Sequence, residues 1–325
     1  MSAAAVPRHW ARISESTFVA GIWFLYGVHA LLGRRTVRVL MWPGVFFYAL
    51  TQPRARRASL DYLRRMQAAH GVPGAAPDWR HWLHHLMSFA ETLLDKLLAA
   101  SGRYPWERVR VEGQEQLDAL LAQGRGALLV TAHVGCLELC QALAAQRPSR
   151  RLTVLVHTRH AERFNAILRR LDPRTRVGLL QVSDVNAATA VALRARIDAG
   201  ELVAIAGDRV PLAGGRTVRV PFLGAAAPFP VGAYVLASLF ACPLLMLGCV
   251  REGRSHVVCF ELLAERLQLP RAGRDAALEH WAGQFAARLE ALLVRAPWDW
   301  FNFYPFWDMD TAPGRAADVR QGVAT

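Results

Sequence analysis

Hydrophobic and polar positions divide the chain into an N-terminal apolar segment, a helical region and a region of mixed pattern. Residues 18–32 carry no charged side chain, and a second apolar run covers residues 39–50. From there to about residue 122 the pattern is helical, with predicted breaks at 71–77 and 102–105. From residue 124 short apolar runs alternate with helical stretches. This alternation predicts an α/β layered fold with a largely parallel sheet flanked by helices.

From residue 124 onwards, the pattern predicts individual strands and helices. Strands are predicted at 126–132, 151–157, 177–182 and 201–207, and the runs 217–223, 243–250 and 255–262 are expected to extend the same sheet. Helices are predicted at 135–146, 161–171 and 186–199, and a long helix at 276–294 closes the domain. The simplest organisation is an N-terminal helical segment, residues 1–55, followed by one domain, residues 56–325.

The N-terminal segment has features of a membrane interface. Each apolar run is shorter than the roughly 20 residues that a spanning helix needs. Pro43 is expected to break or kink the second run. Aromatic and basic side chains accompany both runs: Trp23, Tyr26, Trp42, Tyr48, Arg34, Arg35, Arg38, Arg54, Arg56 and Arg57. We predict a helix or helical hairpin that spans or lies on an anionic membrane; a helical pair that covers the core of a soluble domain is the alternative.

Composition narrows the class of protein. With 325 residues, 53% hydrophobic and 20% charged, the chain is too apolar for disorder and large enough for one sizeable core. A net charge of +13 favours an acidic partner, such as phospholipid headgroups, an acidic carrier protein or nucleic acid. We find no nucleic-acid-binding signature, so no nucleic acid partner is expected. Five cysteines without a C-x-x-C pair and the lack of a signal-peptide pattern predict buried thiols in the cytoplasm.

A histidine near an acidic residue is the catalytic pattern that the sequence offers. The usual motifs of serine hydrolases, P-loop NTPases, dinucleotide enzymes and zincins are missing from the sequence. The spacing His-x4-Glu occurs at 133/138, 157/162 and 256/261. The last pair falls in a predicted strand and points to opposite faces, and the second lies in a predicted solvated or phosphate-facing loop. His133 instead ends a strand that opens into a helix carrying Glu138, which suits a general base and its carboxylate partner.

Several segments together resemble a known family. AHVGCLEL (132–139) is similar to the H-x4-D/E block of the lysophospholipid acyltransferase superfamily, in particular its lipid A late acyltransferase branch. Further blocks follow in the family's order: HAERFNAILRRL (160–171), AGDRVP (206–211), VRVPFLGAAAPFPVGAYVLA (218–237) and PWDWFNFYPFW (297–307). The resemblance as a whole covers roughly residues 10 to 307. An ordered set of blocks is much more specific than the histidine spacing alone.

The resemblance implies a function and a location. It implies a membrane-associated acyltransferase on the cytoplasmic face of the bacterial inner membrane. Such an enzyme would move a fatty acyl chain from acyl carrier protein or acyl-CoA to a hydroxyl of a lipid. A lipid A-like glycolipid is the first choice of acceptor. No cofactor or metal is implied. His133 would act as general base with Glu138 holding its imidazole, and backbone N–H groups near Gly135 would stabilise the oxyanion. The implied substrate-binding residues are Arg163, Asn165, Asp208 and Arg209, with the arginines suited to phosphate or carboxylate.

Other interpretations stay open. Aryl polyenes, ornithine lipids and lysophospholipids are alternative acceptors, because the C-terminal segment is unusually aromatic. A non-catalytic lipid-binding membrane protein would need neither His133 nor Glu138. Cys136 near a helix start would suit a Cys-His acyl-enzyme mechanism, although its apolar neighbours favour a buried thiol. The aromatic side chains of residues 298–307 would fill a groove on the core, line an acyl-chain tunnel or do both.

A metal site is the last alternative. His81, His84 and His85 share one predicted helix at spacings that place two imidazoles on one face. No carboxylate-rich second half of a metal site accompanies them, and Trp79 and Trp82 favour a packed helix instead.

Overall fold

The computed structural model describes residues 16–145, 151–156, 177–181, 186–209 and 215–308. Its helices are α1 (Ser16–Thr51), α2 (Pro53–His70), α3 (Trp79–Ala100), α4 (Gln114–Ala122), α5 (Leu137–Ala145), α6 (Ala187–Asp198), α7 (Gly232–Phe240) and α8 (Arg274–Arg295). Its strands are β1 (Val109–Glu112), β2 (Ala127–Thr131), β3 (Leu152–Val156), β4 (Val177–Gln181), β5 (Leu202–Ala206), β6 (Thr217–Phe222), β7 (Ala225–Pro230), β8 (Leu244–Glu252) and β9 (Ser255–Ala264).

A seven-stranded sheet forms the centre of the fold, with strand order β1-β9-β8-β2-β5-β3-β4. All neighbouring pairs are parallel except β8 and β9, which form an antiparallel hairpin. The predicted layered α/β fold with a largely parallel sheet is therefore confirmed. One prediction is wrong: β6 does not extend this sheet, because it pairs with β7 in a separate antiparallel ribbon.

Both faces of the central sheet are buried, because the strands alternate between two cores. Leu128 and Val130 of β2 face the core covered by α6, α7, α8 and the β6–β7 ribbon. Ala127 and Leu129 face the core covered by α1, α3, α4 and α5. A sheet with two covered faces explains why its central strands read as continuous apolar runs in the sequence.

The short strand β1 lies in a region that the sequence predicts as helical. Only two apolar residues, Val109 and Val111, alternate there with Arg110 and Glu112. This pattern is too short to separate a strand from a helical turn. The strand forms because it gains the parallel hydrogen bonds of β9 at the edge of the sheet.

The helix α1 bends at Gly33 rather than at Pro43. Gly33 has φ +76° and ψ 179°, a conformation that glycine adopts readily, whereas Pro43 lies inside the helical run. After the bend, one side of α1 is buried at every fourth residue: Val37, Met41, Val45 and Ala49. Large apolar side chains remain exposed on the other side: Val39, Leu40, Trp42, Phe46, Phe47 and Leu50. Among the described residues, none of the helices is both long enough and apolar enough to cross a membrane.

Candidate active site

Two neighbouring strands bring His133 and Asp208 together. Thr131 at the end of β2 lies in register with Ala206 at the end of β5. His133 and Asp208 each follow two residues later, so the parallel register places them side by side at the carboxyl edge of the sheet. This edge is where open α/β sheets bind their ligands.

Asp208 holds His133 through two hydrogen bonds. The backbone N–H of His133 donates to Oδ2 at 2.8 Å, and the imidazole Nδ1 lies 2.8 Å from Oδ1. Because a carboxylate accepts, Nδ1 carries the proton of the neutral ring and Nε2 keeps its lone pair. Nε2 has no hydrogen-bond partner among the described residues, and 34% of the side chain is exposed. Nε2 is therefore the ring nitrogen left for a substrate hydroxyl on this partly exposed side chain.

The carboxylate of Asp208 is fully buried but well supplied with donors. Trp300 donates from Nε1 to Oδ2 at 3.1 Å, and Asn302 donates from Nδ2 to the same oxygen at 3.3 Å. Burial alone would raise the pKa of Asp208, yet its contact with His133 and the nearby Arg209 lower the pKa to about 2. Asp208 is therefore negatively charged at neutral pH.

The imidazole of His133 is poised in its basic form. Burial of the ring and the positive charge of Arg209 lower its pKa from the ordinary value, and Asp208 opposes them only in part. A neutral imidazole with a buried carboxylate on Nδ1 and an accessible lone pair on Nε2 is suited to take a proton from a substrate.

Residues 297–307, which we call the closing segment, fix the backbone around the pair. Phe301 donates its N–H to the carbonyl of His133 at 2.9 Å, and Gly135 donates its N–H to the carbonyl of Asp299 at 2.8 Å. Asp208 is held on its main chain as well, because the Tyr304 hydroxyl donates to its carbonyl at 3.1 Å. The closing segment thus determines where both members of the pair lie.

The aromatic rings of the closing segment fill a groove on the core, which was one of the two predicted roles. The Trp300 ring packs edge-on against Tyr62, Phe222 and Phe306 at centroid distances of 5.0 to 5.4 Å. Buried members of this segment are Trp300, Phe301, Tyr304, Phe306 and Trp307. This packing holds the Nε1–H of Trp300 on the Asp208 carboxylate.

Glu138 lies in the first turn of α5 but is bound elsewhere than expected. Its Oε1 accepts a hydrogen bond from Lys96 Nζ of α3 at 2.9 Å, and both side chains are mostly buried. The carboxylate on His133 Nδ1 is that of Asp208, not that of Glu138 as the sequence predicts. The reason is that the strand register aligns β2 with β5, whereas the turn at Gly135 carries Glu138 towards α3.

Gly135 also differs from its expected role. Its φ of +55° and its close approach to β8 require glycine, because a Cβ would lie 1.9 Å from the Cys249 carbonyl oxygen. Its N–H already donates to Asp299, so this amide does not serve the oxyanion. Gly135 therefore shapes the turn between His133 and α5.

Arg209 places a fixed positive charge beside the pair. Its Nε donates to Asn302 Oδ1 and its Nη2 to the Phe301 carbonyl, both at 3.2 Å. The guanidinium also lies 5.9 Å from the ring centroid of Tyr304. Burial lowers the pKa of Arg209, but an arginine stays charged at any physiological pH.

Comparison with known proteins decides the family. The family model described as bacterial lipid A biosynthesis acyltransferase matches residues 99–308, nearly two thirds of the chain. This chain belongs to that family. It is therefore an acyltransferase, and the resemblance seen in the sequence is confirmed. The matched range contains His133, Asp208 and the whole closing segment. No individually curated protein matches the chain.

Two of the predicted substrate-binding residues of this acyltransferase lie outside the described residues. Arg163 and Asn165 fall between β3 and β4, in the range 157–176. The second His-x4-Glu pair, His157 and Glu162, falls in the same range. Of the predicted site residues, the structure brings together His133, Asp208 and Arg209, and it places Glu138 on Lys96.

Cys136 has the environment of a buried thiol. It is fully buried, and its Sγ lies 4.0 Å from Glu138 Oε2. Burial, with the negative charge of Glu138 next, raises the pKa of Cys136 well above its ordinary value. A thiol held in its protonated form is a poor nucleophile, which argues against the acyl-enzyme alternative.

The three histidines of α3 take part in packing. His85 is fully buried between Ser59 Oγ, 2.8 Å from its Nδ1, and the Trp300 carbonyl, 3.0 Å from its Nε2. Burial lowers its pKa to about 3, so it stays neutral. His81 and His84 pack on Trp298 at ring centroid distances of 5.9 and 4.4 Å. In the part of the chain that the structure describes, no three His, Cys, Asp or Glu side chains converge as metal ligands would.

Sequence reasoning missed three residues that shape this site: Lys96, Trp300 and Asn302. Trp300 and Asn302 were visible only as part of an aromatic segment more than 90 positions from Asp208, with no local spacing to link them. Lys96 had one usable signal, because it is the only lysine of the chain.

Proposed function

We propose that the protein is a membrane-associated acyltransferase that moves a fatty acyl chain from an acyl thioester directly to a hydroxyl of a lipid A-like glycolipid. The observation that carries this proposal is the His133–Asp208 pair, with a proton on Nδ1 and an accessible lone pair on Nε2. Family membership supplies the reaction class, acyl transfer. The geometry supports the chemical role of each residue.

His133 is the general base in this proposal. Its Nε2 takes the proton of the acceptor hydroxyl as the hydroxyl oxygen bonds to the thioester carbonyl carbon. The tetrahedral intermediate then collapses, the carbon–sulfur bond breaks, and the imidazolium returns the proton to the leaving thiolate. An ester and a free thiol result. Asp208 stays ionised throughout. It fixes the tautomer of His133 and stabilises the imidazolium without taking the proton.

Arg209 is the proposed electrostatic partner of this reaction. A fixed guanidinium next to the imidazole stabilises negative charge that develops on the carbonyl oxygen or that the substrate carries as phosphate. We assign Arg163 and Asn165 to substrate binding on the family resemblance alone.

The donor is proposed to be acyl carrier protein or acyl-CoA. Both present the acyl group as a thioester and both carry negative charge. The chain's net charge of +13 favours association with either donor.

The exposed apolar side of α1 supports binding to a membrane surface. Large rings such as Trp42, Phe46 and Phe47 are 41 to 69% exposed there, and Arg38 lies on the same helix. Burying such rings at the headgroup boundary is favourable, and nearby arginines add attraction to anionic lipids. We therefore propose that residues 1–55 hold the domain of residues 56–325 peripherally at the cytoplasmic face of the inner membrane, where the lipid acceptor is available.

The experiment that tests the function follows acyl transfer to lipid. Labelled acyl carrier protein, and acyl-CoA in parallel, are incubated with total membrane lipid extract and the protein, and the labelled lipid is identified by mass spectrometry. We expect a labelled glycolipid with the wild type and none with His133→Ala. His280→Ala, an exposed histidine of α8, is the matched control and should retain transfer.

The other outcomes separate the alternatives. A labelled aryl polyene, ornithine lipid or lysophospholipid would keep the enzyme class and replace the acceptor. Equal transfer by His133→Ala would contradict the general-base role. Cys136→Ala should transfer within about twofold of the wild type, and loss of all transfer in that folded variant would favour an acyl-enzyme instead. Lipid binding without transfer from either donor would favour a non-catalytic lipid-binding protein.

A further inference from the structure

A cavity opens between α1, α3, the end of α8 and the turn that joins β8 to β9. Its volume is about 620 Å³, and the closing segment forms one wall through Pro297, Trp298 and Asp299. Among the described residues that line it, neither His133 nor Asp208 is present. A space of this size accommodates a small molecule or the headgroup of a lipid.

Two helices each present one face to this cavity. Arg38 and Trp42, one helical turn apart, line it from α1. From α3 the lining residues recur every three or four positions: Arg80, His84, Met87, Ser88 and Glu91. Residues at this spacing share one face of a helix. The basic side chains of both helices are thereby brought to the same space.

Arginines outnumber carboxylates around the cavity. Among the described residues, four arginines and three carboxylates line it: Arg38, Arg80, Arg251, Arg295, Glu91, Glu252 and Asp299. The protein itself already engages the carboxylates. Glu91 lies 3.0 Å from Arg38 and 2.5 Å from Arg251. Asp299 accepts hydrogen bonds from Ser88 Oγ and from the backbone N–H of Arg251. The cavity therefore suits an anionic ligand.

Two of the arginines keep donors available. Arg38 is 57% exposed, and its Nη atoms form no hydrogen bond with a described residue. The guanidinium of Arg80 lies 5.5 Å from the ring centroid of Trp79 and forms no ion pair within the described part of the chain. The buried Nε of Arg251 also lacks a hydrogen-bond partner among the described residues. Guanidinium groups with donors to spare are suited to phosphate oxygens, which they bind in pairs of hydrogen bonds.

Exposed aromatic rings lie next to these donors. Trp42 lines the cavity, is 41% exposed and belongs to the exposed apolar side of α1 that also carries Phe46 and Phe47. Trp79, beside Arg80, is 59% exposed. Tryptophan is enriched where protein meets the headgroup level of a membrane. A lipid can leave its acyl chains in the bilayer beside these rings while its headgroup enters the cavity.

We propose that this cavity binds the phosphate headgroup of an anionic membrane lipid, with Arg38 and Arg80 donating to the phosphate oxygens. The inference rests on the proposed membrane binding of α1, but it does not depend on acyl transfer by His133. Inorganic phosphate and coenzyme A carry the same chemical group in water. The exposed rings beside the cavity favour the lipid over both.

The test compares two kinds of vesicle in co-sedimentation with the full-length protein. Phosphatidylcholine vesicles contain either phosphatidic acid or, at a matched surface potential, oleate, which has the charge but no phosphate. The wild type should bind the phosphatidic acid vesicles about tenfold more tightly. Arg38→Gln/Arg80→Gln should bring this ratio near one. Arg35→Gln/Arg57→Gln removes two exposed arginines outside the cavity, so it should weaken both bindings equally and keep the ratio. Circular dichroism checks the folding of each variant.

The other outcomes overturn the inference in distinguishable ways. Equal binding of the wild type to both vesicles would contradict the headgroup site and leave the proposed membrane binding intact. A ratio that survives in Arg38→Gln/Arg80→Gln would place phosphate recognition elsewhere. Coenzyme A and inorganic phosphate are added separately, at an ionic strength matched with sodium chloride, and neither should lower the ratio. Loss of the ratio with coenzyme A would assign the cavity to the acyl donor, and loss with inorganic phosphate would make it a site for free anions.

Discussion

Two clusters of buried charge lie at the carboxyl edge of the central strands, and they are built for different purposes. One is the His133–Asp208 pair. The other, which we call the arginine clamp, consists of Arg34 and Arg38 of α1 and Arg251 of β8 around Glu91 and Asp95 of α3. In both clusters, a buried carboxylate accepts hydrogen bonds from several side chains. Only the first leaves a titratable atom, His133 Nε2, accessible and without a partner among the described residues.

The comparison shows how the proposed catalytic arrangement of charges differs from a structural one. In the arginine clamp, Asp95 is fully buried, bound by Arg34 and Arg251, and its cations connect α1 to the sheet. All of these contacts join elements of the fold. At the candidate active site, Trp300 and Asn302 donate to Asp208, and this carboxylate in turn fixes the imidazole that we propose as the base. Variants should therefore affect mainly stability in the arginine clamp and mainly chemistry at the His133–Asp208 pair.

The largest effect on stability is expected for Asp95→Ala. This change removes the 2.7 Å partner of the mostly buried Arg251 and also a partner of Arg34, and it leaves Glu91 as the one carboxylate of the clamp for its three arginines. Breaking a buried pair from one side costs about 3–5 kcal/mol of unfolding free energy. Urea unfolding monitored by circular dichroism measures it. Asp61→Ala, which removes an exposed 3.0 Å pair with Arg65, is the control and should cost less than about 1 kcal/mol.

The second effect is the pH dependence that Asp208 gives to stability. Its pKa is lowered from 3.8 to about 2, so its contribution of about 2.5 kcal/mol is present above pH 4 and is lost as the pH falls towards 2. The difference in unfolding free energy between wild type and Asp208→Asn should therefore shrink between pH 5 and pH 2. A difference that stays constant over this range would contradict the lowered pKa. Asp275→Asn, at an exposed carboxylate, serves as the control.

A smaller effect is expected for Arg34→Met in the arginine clamp. Arg34 is one-third exposed, and Asp95 keeps Arg251 after the change, so the loss should be about 1 kcal/mol. Hydrogen exchange should become faster in α1 after Gly33, because the helix loses a contact with α3. Unchanged exchange there would show that apolar packing alone holds α1. Arg38→Met, at a more exposed arginine, should have a weaker effect.

Sequence reasoning identified the strands that carry the site more accurately than the contacts within it. The strands β2 and β5 were predicted to within one residue, because a fully buried strand reads as an apolar run between polar boundaries. The edge strand β1 was missed and β6 was assigned to the wrong sheet, because strand pairing is a tertiary property that neither segment's pattern encodes.

The same limit applies to the site residues. His133 and Asp208 were both singled out from the sequence, but their contact was not, because 75 positions separate them. Glu138 was favoured as the partner because a spacing of four is visible along the chain. The register between β2 and β5, which decides the matter, is visible only in the folded sheet.

The central claim is that Asp208, rather than Glu138, holds the imidazole of His133 in its proposed role as general base. The measurement is kcat for acyl transfer by Asp208→Asn and Glu138→Gln in parallel, each at the pH of its own maximum, with folding checked by circular dichroism. We predict a loss of about 10³-fold or more for Asp208→Asn, because the wrong tautomer of His133 is then favoured, and a loss at least tenfold smaller for Glu138→Gln. Equal losses, or a larger loss for Glu138→Gln, would contradict the account.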